Sequence, residues 1–348
     1  MIYSIAGFLI VLGLVISIHE AGHFFAARWA GVKVNIFSIG FGRPIFKWRD
    51  RRGTEWRIAW LPLGGFVSIY GQEDMFERRK FKELPAQDKI GHYLSAPAWK
   101  QAVIVGAGIF MNLALAFAIY AGQAMGTQKL QMPTVGEIAG GGNCTEGGKL
   151  CKGDRIMQVG GKKVSTWEEM LWEKELGAGR ETALIILRGK NIMMPKMPPG
   201  KWGIAPDPAK IETVRNGFFT ALGKGARELR SQSQMVLVIL RQMISGERSS
   251  KQLGGFLTIA EMSGRAISAG FAALLAVIAL LSVNLGVINL FPLPVLDGGH
   301  LLILAIEAAT RRKLQGRAME SVMRAGWWLL AALMAFALWN DIARILEK

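Results

Sequence analysis

The apolar positions of this chain fall into four long charge-free runs separated by segments of mixed character. Residues 1–18 carry no charge, and after one polar cluster the apolar run resumes through residue 27. Further runs cover 101–128, 266–296 and, shorter, 325–340. About 20 consecutive apolar residues cross a bilayer as a helix, so the pattern predicts four membrane-spanning helices. Between the first two runs the pattern changes. Residues 34–45 and 56–69 are rich in β-formers interrupted by Gly40, Gly42, Gly64 and Gly65, which predicts strands with turns. They are too apolar for a solvated linker and suggest strands pressed against the membrane face. Residues 131–208 have the composition of a compact soluble domain: strands at Val135–Ile138, 155–164 and Thr182–Arg188, and a helix from Trp167 capped by Ser165 and Thr166. From Asn216 to Ser245, Phe218, Leu222, Ala226, Leu229, Val236, Leu240 and Met243 recur at helical spacing, the mark of an amphipathic surface helix.

Composition narrows this picture. With 51% hydrophobic and 20% charged residues, the 348-residue chain is too apolar for one ordinary soluble domain. A formal charge of +16 raises nucleic acid as a partner. No nucleic-acid motif accompanies it, and basic residues in a multispan protein serve topology and anionic lipid headgroups. Arg28, Lys33, Arg43, Lys47, Arg49, Arg51, Arg52 and Arg57 all follow the first run. The positive-inside rule then puts the N-terminus outside, 31–98 in the cytoplasm, 125–265 outside and the C-terminus outside. The first run lacks a basic n-region and reads as a retained anchor. Cys144 and Cys151, the only cysteines, fall in the external loop, where a disulfide and free thiols are both open.

The candidate chemistry sits where it is hardest to keep. His19-Glu20-Ala21-Gly22-His23 interrupts the first apolar run, and one charged side chain at mid-span costs roughly 2.5–3.5 kcal/mol. Positions i and i+4 share a helix face, so His19 and His23 can offer two nitrogens to one metal ion. Glu20 lies beside them, placed to take a proton from the water that such a site activates, as in H-E-x-x-H hydrolases. A catalytic zinc has three protein ligands and one open position, and the best third ligand is Asp297. His19 lies roughly 24 Å along a helix from residue 3, close to the cytoplasmic side. A helix from residue 269 is used up near Leu290 at roughly 30 Å, and Pro292 and Pro294 then forbid regular helix, so Asp297 can turn back at the depth of the histidines. In the second run, Asn112 is expected to act chiefly as packing glue with Gly106 and Gly108, a hydrogen bond into the metal site being the sharper option. His92 is expected at the surface.

Two resemblances follow. The order strand, Gly-Asp turn, strand, helix, strand, with KGDRIMQVGGKKV at 152–164, resembles a PDZ domain of the bacterial permuted kind, whose groove would take peptide C-termini or extended segments. HEAGH at 19–23, FSIGFG at 37–42, LPLGGF at 61–66 and SVNLGVINLFPLPVLDGG at 282–299 together resemble the site-2 protease family. The match is closest to its bacterial branch, inner-membrane zinc proteases that cleave anti-sigma factors in envelope stress. The resemblance covers nearly the whole chain. It implies zinc on His19, His23 and Asp297, Glu20 as catalytic acid and base, and an oxyanion or positioning role for Asn289. It also implies a re-entrant β-hairpin loop that grips an unwound substrate helix, with Ile36, Phe41, Phe66, Val67, Ser68, Ile69, Asn284, Pro292 and Pro294 as substrate-binding candidates. Two departures stand out: one PDZ-like domain rather than a tandem pair, and Gly254-Gly255-Phe256 where the family often has Gly-Pro.

The expected architecture is a polytopic α-helical membrane protein with a cytoplasmic-side re-entrant β-hairpin and one inserted periplasmic PDZ-like domain. Its segments are a first span at 1–30, a loop at 31–98, a second span at 99–124, the PDZ-like domain at 130–208, an amphipathic helix and docking segment at 212–262, a third span with LDGG at 266–310, and a fourth at 322–342. The expected activity is zinc-dependent hydrolysis of peptide bonds within or near the spans of single-pass membrane proteins, in a bacterial inner membrane. A metal-binding transporter is the first rival, but residues 5–16 offer no polar path through the outer leaflet. A catalytically inactive scaffold is the second, and the presence of Glu20 beside three ligands argues against it.

Overall fold

The computed structural model describes residues 2–73, 78–145, 149–177, 180–200, 202–247, 255–314 and 317–346. Gly254 and the rest of 248–254, part of the expected docking segment, lie outside them. The chain divides into two compact units. One comprises Met1–Tyr120, Ala226–Ser233 and Lys251–Lys348, the other Ala121–Gly225 and Gln234–Ser250.

The first unit is built on helices α1 (Ile2–Ala30) and α3 (Ala98–Ala124). Between them lie strands β1 (Val34–Arg49) and β2 (Glu55–Ile69) and the short α2 (Arg78–Glu83). Among the described residues, four helices are long and apolar enough to cross a membrane: Tyr3–Ala30, Ala98–Ala124, Phe271–Asn289 and Ser321–Ala343. Trp327, Trp328 and Trp339 on the last are exposed, a surface suited to lipid and its interface. Small residues let α1 approach its neighbours: a Cβ on Gly22 would run into the Ala107 carbonyl of α3. Phe24, Ala27, Val34, Phe37, Ile69, Ile104 and Leu304 are buried together below this crossing.

The two long strands form more than a hairpin. Residues 36–39 of β1 pair with 65–68 of β2 on one side and with 55–58 on the other. The tip segments 46–49 and 55–58 pair with each other. The spatial order is therefore 65–69, 34–39, 55–58, 46–49, with each strand bending back on itself. The bend in β1 needs glycine at Gly40, where φ is +89° and a Cβ would press on the Leu61 and Ala59 carbonyls. Asp50 closes the tip turn by accepting from the Arg52 and Thr54 N–H groups, the Trp56 indole and the Arg28 guanidinium. Burial would raise its pKa, but these donors hold the carboxyl well below the usual carboxylate range. His92, expected at the surface, is buried: its ring packs on Tyr70 and Phe81, and its Nδ1 accepts from the Leu94 N–H.

The expected third span, 266–310, is three elements. Residues 266–269 end α6 (Phe256–Ala269), Gly270 breaks the chain at φ +108°, and α7 (Phe271–Asn289) is the span proper. Residues 290–296 then form a tight loop, closed by Leu296 N–H to the Leu293 carbonyl at 2.9 Å, and α8 (Asp297–Thr310) begins. The two glycines after Asp297 have a steric reason. A Cβ on Gly298 would strike the Leu290 and Phe291 carbonyls, and one on Gly299 the Leu293 carbonyl. Helix α9 (Arg317–Leu346) follows, and its Asp341 caps α6 by accepting from the Gly255 and Leu257 N–H groups and the Thr258 hydroxyl.

The second unit contains β3 (Gly126–Gln131), β4 (Val135–Ile138), β5 (Arg155–Val159), β6 (Lys162–Lys163), α4 (Trp167–Leu176), β7 (Thr182–Arg188), β8 (Asn191–Met193), β9 (Lys196–Met197), β10 (Ile204–Pro206) and β11 (Ile211–Asn216). The main sheet has the order β6-β5-β7-β8, with β9 on β7, while β4 pairs with β10 and β3 with β11. The β3–β11 pair extends the unit beyond the expected 130–208. Val135, Leu150, Ile156, Met170, Leu184, Ile186 and Trp202 form its core. Asp154, wholly buried, receives two bonds of 2.8 Å from Arg188 and one of 2.7 Å from the Cys151 N–H. Thr166 caps α4 by accepting from the Glu169 N–H, while the Glu169 side chain accepts from Ser165 N–H. Cys144 and Cys151 are disulfide-bonded. Helix α5 (Phe218–Ile244) is the expected amphipathic helix.

Candidate active site

The HEAGH segment falls in the third-to-last turn region of α1, where α3 crosses it, and both histidines are buried. One face of α3 supports them through residues four apart. The Ile104 carbonyl accepts from His23 Nδ1 at 2.8 Å. A Cβ on Gly108 would fall 2.6 Å from His23 Cε1 and 2.8 Å from His19 Cε1, so only glycine leaves room for the rings. Asn112 reaches His19 Nδ1 at 3.2 Å. Asn112 thus touches the site directly and is more than helix-packing glue.

The bend at 290–296 brings Asp297 to the same place from the other end of the chain. Asp297 Oδ2 lies 3.2 Å from His19 Nε2 and 3.4 Å from His23 Nε2, and the two nitrogens are 3.2 Å apart. Among the described residues these three form a cluster able to hold a metal ion. The triangle fits zinc: ligand atoms about 2.0–2.1 Å from a tetrahedral ion stand about 3.3–3.4 Å from one another. Two imidazoles and a carboxylate leave a fourth position open, the donor set of hydrolytic zinc sites. The N-terminal end of α8 also favours a carboxylate at its first residue.

Glu20 faces the same cleft of about 340 Å³, lined also by Ile16, Val67, Gln72, Leu285, Asn289 and Val295. Its Oε2 accepts from the Val67 N–H at 3.0 Å. That bond runs outward from the sheet, because 65–69 pairs with β1 through its other edge. The free edge beside the site is therefore 65–69. Ile36, expected to offer backbone to a substrate, cannot do so: it pairs with Ser68 on one side and Glu55 on the other. Phe41 is partly exposed and stacks on Phe66 with ring centres 6.3 Å apart. Ser68 and Ile69 continue the edge strand, Ile69 buried in the core below it. Asn289 lines the cleft, whereas Asn284, Pro292 and Pro294 do not. Pro294 faces Gly326 of α9, where a Cβ would lie 3.3 Å from its own. Gln72 and the Ile104 carbonyl carry no signal in the sequence, and Gly108 stands out there only as a packing residue. The Gly108-to-Asn112 spacing, one turn on a face of α3, was the available signal.

The second unit has its own cleft of about 390 Å³ between β4 and α4, lined by Ile138, Met170, Leu171, Lys174, Trp202 and Ile204. The Lys174 ammonium sits 5.4 Å above the Trp202 ring at its rim.

A triad of two buried histidines and one partly buried aspartate, set among helices long enough to cross a bilayer, defines a multi-pass membrane metallohydrolase. The family model for peptidase family M50 matches residues 7–333. A protein of Campylobacter jejuni is 37% identical over 355 residues, covering 97% of this chain and 93% of its own. One of Rhizobium meliloti is 34% identical over 369 residues, covering 98% and 96%, and one of Rickettsia conorii 32% identical over 358 residues, covering 98% and 99%. All three carry zinc metalloprotease as a provisional name. The chain belongs to peptidase family M50, the site-2 proteases, and is a zinc metallopeptidase.

Proposed function

We propose that this metallopeptidase cuts peptide bonds within or beside the membrane-spanning segments of single-pass membrane proteins, of the anti-sigma-factor or signal-peptide-remnant kind. The observation that carries the reading is the His19, His23 and Asp297 triangle, with both histidines inside a helix read as a membrane span and Asp297 brought to them by the loop that follows another. The reading assigns metal ligation to those three residues. Zinc bound there polarises a carbonyl oxygen and lowers the pKa of water. Glu20 takes the proton of the attacking water as the new C–O bond forms, then returns it to the amide nitrogen as the C–N bond breaks. Asn289, on the cleft wall, donates its amide to the developing oxyanion.

A helical substrate must unwind to expose the scissile bond, leaving backbone groups unpaired at several kcal/mol each in lipid. The edge 65–69 offsets that cost by adding the unwound segment as a strand, with Phe41 and Phe66 flanking it. The cleft between β4 and α4 has the form of a PDZ-like groove and takes extended peptide or a C-terminus. Arg43, Lys47, Arg49, Arg51 and Arg52, alongside the exposed Phe46 and Trp48, suit the tip of β1 and β2 to an anionic lipid surface. The location is a bacterial inner membrane with both termini outside. The bacterial relatives support this, and so does the Cys144–Cys151 disulfide in the loop expected on the oxidising side.

The test is a purified protein reconstituted with a single-pass substrate. Wild type should cut it, a zinc chelator should stop the cut and added zinc restore it. Glu20→Gln should keep one zinc per chain and lose on the order of 10²–10⁴-fold in rate. Cleavage that survives both chelation and Glu20→Gln sinks the proposal.

A further inference from the structure

We infer that Asn112 is the positioning residue of His19: its side-chain oxygen holds the imidazole as the tautomer whose Nε2 faces the metal. The inference rests on the metal reading above. A histidine that ligates through one ring nitrogen carries a proton on the other, and that N–H needs an acceptor to fix the ring. His23 has one, since its Nδ1 lies 2.8 Å from the Ile104 carbonyl. The corresponding neighbour of His19 Nδ1 is Asn112, two turns further along the same face of α3.

The amide meets the ring through Nδ2, at 3.2 Å, while its own Oδ1 is buried with no hydrogen-bond partner. An amide nitrogen is a donor only, so it serves a ring nitrogen that lacks a proton, the tautomer that would block Nε2. A half-turn of the amide exchanges oxygen and nitrogen and moves nothing else. Oδ1 then accepts from His19 Nδ1–H and the Nε2 lone pair is freed toward Asp297 and His23, the amide nitrogen taking the unpartnered position instead. Packing alone gives no reason for a fully buried asparagine at this point of an apolar helix. Both ligand histidines are then oriented from α3, one by a main-chain oxygen and one by a side chain.

The experiment measures zinc affinity by chelator competition on the full chain in detergent, with the melting temperature of the zinc-free protein beside it. Asn112→Leu, of similar size, should weaken zinc by about 10–100-fold. Asn112→Asp keeps an oxygen in place and should recover most of the affinity. A wild-type protein that takes up no zinc overturns the metal reading and this inference with it. Equal affinity in the wild type and Asn112→Leu overturns this inference alone. So does a matching loss in the Leu and Asp variants in step with a lowered zinc-free melting temperature, since packing would then account for the whole effect.

Discussion

Replacing Gly108 by alanine adds one methyl group on the floor of the proposed site. The new Cβ would stand 2.6 Å from His23 Cε1 and 2.8 Å from His19 Cε1, where carbon atoms ordinarily rest about 3.5–4.0 Å apart. The rings must retreat by about 1 Å. They cannot do so freely, because His23 is held at Nδ1 by the Ile104 carbonyl and at Nε2 beside His19 and Asp297. A misplacement of about 1 Å costs on the order of 100-fold in rate, and overpacking adds about 1–3 kcal/mol of destabilisation. Gly106→Ala, half a turn away on the same helix, is the internal control: nothing lies within 4 Å of its Cβ. That change should leave turnover intact and stabilise α3 by up to about 1 kcal/mol. The assay compares zinc content, melting temperature and cleavage of a reconstituted substrate in the two variants. Wild-type zinc content and turnover in Gly108→Ala would refute the reasoning, since the rings would then have room that the geometry denies them.

Two further predictions follow from the sheet and the loops. Asp50 is held below its unfolded value of about 3.9, so its contribution to stability is present above that pH and fades as the pH falls below about 4. Asp50→Asn should flatten the acid limb of a melting-temperature profile; an unchanged limb would show that the tip turn does not depend on the carboxylate. For topology, a membrane-impermeant thiol reagent added outside should label a cysteine introduced near Thr182 and miss one near Arg51, and the opposite pattern would invert the proposed orientation.

What could be read from the chain was whatever violated its own surroundings. Histidines and a glutamate in an apolar run, and an aspartate after two prolines, stand out because burial makes them costly. Local signals also carried through, as in the Thr166 cap and the periodicity of α5. Pairing over distance was not legible. The double engagement of residues 36–39 depends on bends at Gly40 and Gly64 that bring non-adjacent stretches together, so the edge expected at Ile36 is taken by 65–69. His92 departs from its expected surface position for a related reason: its polar neighbours in sequence are not its neighbours in space, which are Tyr70 and Phe81. The separation of α6 from α7 turns on one glycine at φ +108°.

The wide separation of the proposed ligands along the chain bears on how the protein is made. His19 and His23 leave the ribosome first, and Asp297 follows more than 270 residues later. At 5–20 residues per second the interval is roughly 15–55 s, during which the second unit and its disulfide can form. Throughout that time the nascent chain holds only two of three ligands, so it is an incomplete hydrolase among newly inserted membrane proteins. Competence arrives with the turn at 290–296, which makes the order of synthesis a safeguard against premature cutting.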